Sequence, residues 1–281
     1  EFQPISVFTP ELYANAHAPQ RTAGIAALES LERSRQDAQV LDVGCGTGDF
    51  TYQQLLTRCQ PCRRIVATDV SQSMVRYAKE HFGHPLISYE VHAIEDDISA
   101  LLNTYGKFDR VYSFSALHWV KNLKAALRNI AGFMTDDGDA LLIFIGRWAG
   151  YDAWRKIVQM DRWRPYKEIC ESFIPKTHDF KDHAALKSYM RDVLKSAGLK
   201  AQKCQVVTAR RNIEHLDQTI ETHIALIPIL PLLPEGLGSD LKADLADVLR
   251  SMLGDDGGHT KFSRDDFIIH ATKETETDDP W

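Results

Sequence analysis

The chain has 281 residues, of which 44% are hydrophobic and 26% charged, as expected for a globular protein with a sizeable core. Thirty-nine acidic residues against 33 basic ones give a net charge of −6, which argues against nucleic acid or an anionic membrane surface as a partner. The richest apolar run, 224–233, is broken by Pro228 and Pro231, so we expect no membrane span. Five cysteines without framework spacing, and no signal peptide pattern, favour a reducing, cytoplasmic location.

Apolar spacing divides the first 145 residues into alternating helices and strands. Helical segments at 11–33, interrupted at Pro19, come first. Strands are then predicted at 39–43, 64–69, 87–93, 108–113 and 139–145, and helices at 49–58, 71–81, 98–102 and 123–134. This alternation predicts a parallel sheet wound with helices on both faces.

The second half of the chain differs in character. Residues 151–173 are rich in Trp, Tyr and Arg. A helix at 186–197, a strand at 203–212, helical segments within 216–253 and a last strand at 266–272 are predicted after them. We therefore expect a core at 38–147, followed at 148–281 by helical cap insertions and two further strands. Cys59 and Cys62 form a CxxC, but without a second pair or a nearby His we expect a helix-to-strand loop and no metal site.

The strongest motif lies at the end of the first predicted strand, where residues 40–48 read VLDVGCGTG. Gly44, Gly46 and Gly48 let the backbone turn sharply and approach a ligand, next to the free N–H groups of a helix start. The spacing differs from the dinucleotide fingerprint, whose third Gly lies further along. Asp69, at the end of the second strand, can accept both ribose hydroxyls, although a helix cap is the other interpretation. Together these features indicate a nucleoside ligand without a pyrophosphate.

Residues 38–145 thereby resemble the class I S-adenosylmethionine-dependent methyltransferases. The resemblance implies S-adenosylmethionine as cofactor and a Rossmann-like α/β fold: a doubly wound, mostly parallel seven-stranded sheet with a helical cap. It places part of the motif near the methionine portion, the ribose on Asp69, and the adenine between Val70 and Met74. The cofactor-binding residues that it implies are Asp42, Gly44, Cys45, Gly46, Asp69, Val70, Met74, Ile94 and Ser113.

Two of these positions have a second interpretation. Met74 equally suits a helix residue packed on the sheet. After the third strand, Ala93 and Ile94 replace the acidic residue that is frequent in this class, so Glu95, Asp96 or a backbone group would contact the adenine amine.

After the fourth strand, residues 113–123 read SFSALHWVKNL, at the place in this fold where the acceptor meets the methyl group. The Trp119 indole N–H is a neutral donor that can position a carboxylate without a tight ion pair, which would quench its nucleophilicity. His118 could donate as well, or act as a base if the acceptor were a hydroxyl or an amine. Either side chain could instead be structural.

This segment, together with Leu12-Tyr13 and Gln20, closely resembles the insect juvenile hormone acid methyltransferases, which esterify farnesoic acid or juvenile hormone acid. The resemblance implies that Gln20, on the N-terminal helical segment 1–37, and Trp119 bind the substrate carboxylate. It also implies a small apolar carboxylic acid as the substrate, and a homodimer is possible. Enzymes of the trans-aconitate or carrier-bound malonyl type are alternatives, as is a binding module that has lost catalysis, although the intact glycines argue against the latter.

Apolar side chains of the second half could wall a cavity over the methyl donor, with ordinary packing of a cap as the alternative for each residue. The aromatic ones are Trp148, Tyr151, Trp154, Trp163, Tyr166 and Phe173. Arg155, Arg162 and Arg164 suit either a more polar substrate or a solvated helix face.

Overall fold

A computed structural model describes residues 10, 18–29, 36–210, 216–253 and 263–274. Their strands are β1 (Ala38–Val43), β2 (Cys62–Asp69), β3 (Ile87–Val91), β4 (Phe108–Phe114), β5 (Met134–Trp148), β6 (Leu199–Arg210) and β7 (Ser263–Lys273). They form one seven-stranded sheet in the order β3-β2-β1-β4-β5-β7-β6. The first five strands pair in parallel, and β7 runs antiparallel between β5 and β6. The predicted α/β fold, with its last two strands from the second half of the chain, is confirmed.

The helices of the described residues alternate with the strands and add a group beyond β5. They are α1 (Ala18–Glu29), α2 (Leu56–Cys59), α3 (Gln72–His81), α4 (Ser99–Tyr105), α5 (Leu123–Phe133), α6 (Ala149–Ile157), α7 (Lys167–Ser172), α8 (His183–Ser196), α9 (Leu216–Leu226) and α10 (Leu237–Leu253). A π-helical turn, Thr51–Leu55, leads into α2. Among these residues, no helix combines the length and apolar character needed to cross a bilayer.

Several predicted boundaries differ from the structure. The described part of α1 begins at Ala18 and places Pro19 in its first turn, where a proline removes no intrahelical hydrogen bond; residues 11–17 and 30–33 of the predicted helical segments lie outside the described residues. The third strand ends at Val91 and not at 93, so Ala93 and Ile94 lie in the following loop. The strands β5, β6 and β7 are longer than predicted. Met134 already pairs in parallel with Phe108 of β4, and the antiparallel ladder extends through polar residues that carry no apolar signal. Residues 211 and 212, predicted for the sixth strand, lie outside the described residues.

Three apolar clusters hold the described residues together. One lies on each face of the sheet, and their centres include Phe133 and Phe267 on one side and Leu55 and Ile143 on the other. The third joins the end of β5 to α6, α9 and α10. The cap therefore has a core of its own, which starts where β5 leaves the sheet. The CxxC spans the loop from α2 to β2, as predicted, and the described residues contain no group of His, Cys, Asp and Glu that could hold a metal ion.

Candidate active site

The glycine motif forms a tight loop between β1 and the π-helical turn. Gly44, Gly46 and Gly48 have φ angles of 78°, 55° and 78°, a conformation that side chains rarely adopt. A Cβ at Gly44 would overlap the Ala116 Cβ, and one at Gly48 would lie 2.7 Å from the Ala78 Cβ. The loop therefore requires these glycines for its backbone and for the close approach of its neighbours.

Asp42 lies beneath this loop, buried to 3% exposure. Its carboxylate accepts a 2.6 Å hydrogen bond from the Thr51 hydroxyl, which fixes the start of the π-helical turn. Burial raises the pKa of Asp42 to about 7, the Thr51 hydrogen bond opposes this shift, and the nearby carboxylates of Asp69 and Asp49 add to it. Asp42 thus anchors the loop from below.

Asp69 ends β2 and lies against the same loop. One carboxylate oxygen accepts from the Gly46 N–H and the other from the Ser71 N–H, both at 2.9 Å. Burial raises the pKa of Asp69, and the two N–H donors lower it. The helix-cap interpretation is wrong, because Ser71 and not Asp69 caps α3. Asp69 supports the turn before α3, and because each of its oxygens has a second lone pair it can still accept ribose hydroxyls.

The remaining predicted cofactor residues lie at the carboxyl ends of neighbouring parallel strands, on one edge of the sheet. Val70 is 44% exposed and open to a ligand, whereas Met74 and Ile94 are buried. Burial raises the pKa of the Cys45 thiol. The buried Ser113 hydroxyl donates to the Val43 carbonyl at 2.9 Å and ties β4 to β1. Cofactor contact by these residues stays a prediction, and the buried position of Met74 suits its packing interpretation.

Hydrogen bonds to residues of α5 and of its N-terminus fix the loop after β3. The Glu95 carboxylate accepts from the Asn122 N–H at 2.6 Å, and the Asn129 amide donates to the carbonyls of Ile94 and Asp96 at 2.8 Å. Glu95 is therefore engaged with the backbone that begins α5. His92, which the sequence analysis missed, has a buried Nε2 atom for which the described residues offer no hydrogen-bond partner.

The predicted acceptor residues His118 and Trp119 form a 3₁₀ turn, Leu117–Trp119, directly after β4. Ser115, before the turn, has a φ of 56°, so the backbone reverses sharply here. The Trp119 ring lies 5.0 Å from the His118 ring, 5.9 Å from Phe173 and 6.4 Å from Trp154, measured between centroids. The turn thus joins the sheet edge to the cap.

His118 is electrically neutral in this setting. Its side chain is buried, and its Nδ1 atom finds no hydrogen-bond partner within the described part of the chain. Burial, and secondarily the positive charge of Arg264, lower the pKa of His118 to about 3.

The cap places two further polar atoms in this apolar region. Trp148, Tyr151 and Trp154 contact one another edge to face, with centroids 5.2–5.7 Å apart. The Tyr151 hydroxyl and the Trp154 Nε1 atom are fully buried, and neither has a partner in the described ranges. In contrast, the buried Trp163 indole donates to Asp244 at 2.8 Å, which is structural packing within the cap.

The three arginines that suggested a more polar substrate are held in ion pairs. Arg155 pairs with Glu171 and Asp179, and their carboxylates accept its N–H groups. Arg162 pairs with Asp240, and Arg164 with Asp161. The solvated-face interpretation therefore fits these residues better.

A cavity of about 400 Å³ lies beside the acceptor turn. Residues 117–124 form one wall, and residues 172–177 form the other. His118 and Trp119 face it together with apolar side chains, and three lysines line it as well: Lys121, Lys124 and Lys176. This is a volume typical of small-molecule sites.

The N-terminal helix α1 reaches the same edge of the sheet. Gly24 is buried there, and a Cβ on it would come within 2.9 Å of the Phe50 ring and 3.3 Å of Phe114 at the end of β4. Gln20 lies one turn earlier on α1, but its side chain is outside the described residues. The structure brings the helix of Gln20 to the acceptor side and leaves its contact with a substrate a prediction.

Comparisons with known proteins agree with this arrangement. Residues 40–138 match the family described as "Methyltransferase domain". The chain is 28% identical to juvenile hormone acid O-methyltransferase of Bombyx mori, over 86% of both chains, and 28% identical to the enzyme of that name from Drosophila melanogaster, over 86% of this chain and 82% of the other. A crystal structure of a putative methyltransferase from Bacillus halodurans has the same fold, with a TM-score of 0.58, 16% identity, and 90% of this chain and 100% of that chain covered. Residues 40–138 therefore form a methyltransferase domain, the chain has the class I, Rossmann-like fold of S-adenosylmethionine-dependent methyltransferases, and over most of its length it resembles the juvenile hormone acid O-methyltransferases of insects.

Proposed function

We propose that this enzyme methylates the carboxylate of an apolar acid of the sesquiterpenoid type, such as farnesoic acid or juvenile hormone acid, and forms its methyl ester. The observation that carries the proposal is the acceptor turn: a neutral His118 beside Trp119, enclosed by aromatic cap residues. The similarity to carboxyl-methylating enzymes extends over most of the chain and supports it.

The cofactor side fits S-adenosylmethionine. The glycines hold a sharply turned backbone loop at the end of β1, and the Asp69 carboxylate lies beside it with lone pairs for the ribose hydroxyls. The open side chain of Val70 is suited to one face of the adenine. When bound, the cofactor supplies a methyl group that an ionised carboxylate accepts without any proton transfer.

The residues on the acceptor side have the chemistry that such a carboxylate needs. It is already ionised near pH 7, so its requirement is orientation and not a base. Neutral donors on Trp119 and, we propose, Gln20 would hold one oxygen and leave the other free to attack. The apolar wall of Trp154 and Phe173 against Trp119 excludes water, which would otherwise compete for the carboxylate.

An apolar chain attached to the carboxylate also has a place to bind. The cavity beside the acceptor turn has the volume of a typical ligand site, and its wall combines apolar residues, namely Leu117, Val120, Phe144, Phe173 and Ile174, with the three lysines named above. We propose that it receives part of that chain.

The proposal is tested with a panel of terpenoid, fatty and polycarboxylic acids, each incubated with labelled S-adenosylmethionine, with the products identified by mass. We expect methyl esters of long apolar acids, cleaved by mild alkali, and little product from trans-aconitate. Efficient methylation of polycarboxylic acids alone would contradict the apolar substrate class.

A second candidate is methylation of a hydroxyl or an amine with His118 as the base. It is favoured by one observation: the buried His118 Nδ1 has no partner in the described residues and could accept a hydrogen bond from such a group. The pKa of His118, lowered to about 3 by burial, makes it a weak base and ranks this function second. An ether or N-methyl product resists mild alkaline hydrolysis, so the same panel, extended to alcohols and amines, separates the two functions.

A further inference from the structure

A buried ion pair lies at the start of β7. The Arg264 guanidinium donates through Nε and Nη2 to one carboxylate oxygen of Asp266, at 3.0 and 2.7 Å. The two side chains are only 12% and 8% exposed. A buried charge pair costs free energy to desolvate, so its presence at a ligand-binding edge of the sheet calls for a role.

The pair faces the acceptor side of the sheet. Arg264 lies directly opposite Trp148 in the antiparallel β5–β7 ladder, so the two side chains share a face. Trp148 contacts both Tyr151 and Trp154, and the Trp154 ring in turn contacts the Trp119 ring. Contacts between rings therefore connect the cation to the acceptor turn.

The charge of Arg264 reaches the polar atoms around that turn. It acts electrostatically on His118 and on Tyr151, and Asp266 opposes it at Tyr151. The His118 Nδ1 atom and the Tyr151 hydroxyl are the buried atoms noted above as lacking a partner in the described residues. A ligand atom that accepts hydrogen bonds would satisfy the Tyr151 hydroxyl in a positive potential.

We propose that Arg264 is a positioning residue that selects a carboxylate acceptor by its positive potential, and that Asp266 shields it so that no direct ion pair forms with the substrate. This inference rests on the proposed function. An unshielded arginine would bind both carboxylate oxygens in a fork and reduce their nucleophilicity. With one carboxylate oxygen of Asp266 already holding two of its N–H groups, Arg264 attracts the substrate anion while leaving its orientation to neutral donors.

The proposal is tested by the affinity ratio between farnesoic acid and its neutral methyl ester, measured by calorimetry, together with kcat and KM for farnesoic acid. We expect Arg264→Gln to weaken binding of the acid about tenfold and to leave binding of the ester unchanged, because only the acid carries a charge. Arg264→Lys, which keeps the charge, should retain most of the preference for the acid.

Asp266→Asn should change the affinity for the acid in the opposite direction to Arg264→Gln. Removal of the shield should tighten binding of the acid and lower kcat, because the substrate carboxylate then pairs directly with Arg264. The double variant Arg264→Gln/Asp266→Asn has a neutral pair of similar shape, which guards against a folding defect. Its preference for the acid should lie between those of Arg264→Gln and wild type, because it also lacks the Asp266 charge that repels the acid.

The matched control is Arg147→Gln. Arg147 binds Asp265 at 2.6 Å, on the opposite face of the same β5–β7 ladder, because Asp265 alternates with Arg264 and Asp266 along β7. We expect this variant to lose stability without a change in the affinity ratio between the acid and its ester. Binding of S-adenosylmethionine verifies the fold of every variant.

If esters form but Arg264→Gln leaves that affinity ratio unchanged, the role of Arg264 is wrong and the proposed function stands. If the wild-type enzyme neither binds nor esterifies an acid, both are wrong.

Discussion

The glycine loop and the acceptor turn of this enzyme treat their buried polar groups in opposite ways. At the glycine loop, Asp42, Asp69 and Ser113 each have a hydrogen-bond partner within the chain. Around the acceptor turn, Tyr151 and Trp154 place buried donors where the described residues supply no acceptor. Because an unsatisfied buried polar group costs about 1–3 kcal/mol, the acceptor turn is arranged for a ligand or water, whereas the glycine loop is complete in itself.

The largest effect is expected from filling the glycine loop. Gly44→Ala places a Cβ on the Ala116 Cβ at a φ of 78°, so we expect cofactor binding to fall by about 100-fold or more. Calorimetry with S-adenosylmethionine measures the loss. Gly106→Ala is the control, since Gly106 has a φ of 75° with nothing within 4 Å of its Cβ position. Gly106→Ala therefore adds backbone strain without a steric overlap. An equal loss of cofactor binding in both variants would show that backbone strain, and not the overlap with Ala116, causes the loss.

The next effect tests the acceptor side. Trp119→Phe keeps an aromatic ring between Trp154 and Phe173 but removes the indole donor, so we expect kcat/KM for the acid to fall about 100-fold. The affinity for S-adenosylmethionine should change less than about twofold. Trp163→Phe is the matched control, because the Trp163 indole serves Asp244 within the cap and its loss should lower only the stability. Unchanged ester formation in Trp119→Phe would remove Trp119 from the site.

A smaller effect is expected from Asp69→Asn. The single amide oxygen of Asn can accept from the N–H of Gly46 or of Ser71, but it cannot accept from both and also from the ribose hydroxyls. We therefore expect a loss in cofactor affinity of about tenfold. Asp139→Asn breaks a carboxylate pair with Arg110 at the other end of the sheet and serves as the control. Cofactor affinity that is equal in the two variants would leave Asp69 with its turn-supporting role only.

The same contrast explains what the sequence could predict. The cofactor side is encoded by residues close in sequence, because Asp42, the three glycines and Asp69 terminate two successive strands, and both the fold and the cofactor follow from them. The acceptor side joins β4, the cap and β7, and no local pattern connects Trp119 to Tyr151 or Arg264. Arg264 was missed because a polar residue at the start of an antiparallel strand has no periodic signal, although its partner Asp266 lies only two residues further along the same strand.

The last effect is on stability and not on ligand affinity; it concerns the charge beneath the loop and would sharpen the idea that the glycine loop is complete in itself. The pKa of Asp42, raised to about 7 by burial, lies above its value in the unfolded chain, so between about pH 4 and 7 the native state binds the extra proton. Stability contributed by this group is therefore present at low pH and lost as pH rises through 7. Asp42→Asn removes the titration and can still accept from Thr51. We expect the Tm of the variant, relative to wild type, to increase by about 6 °C between pH 4.5 and 8, corresponding to about 3 kcal/mol. A constant Tm difference across that range would show that the ionised Asp42 is as well stabilised by Thr51 and the loop as its protonated form.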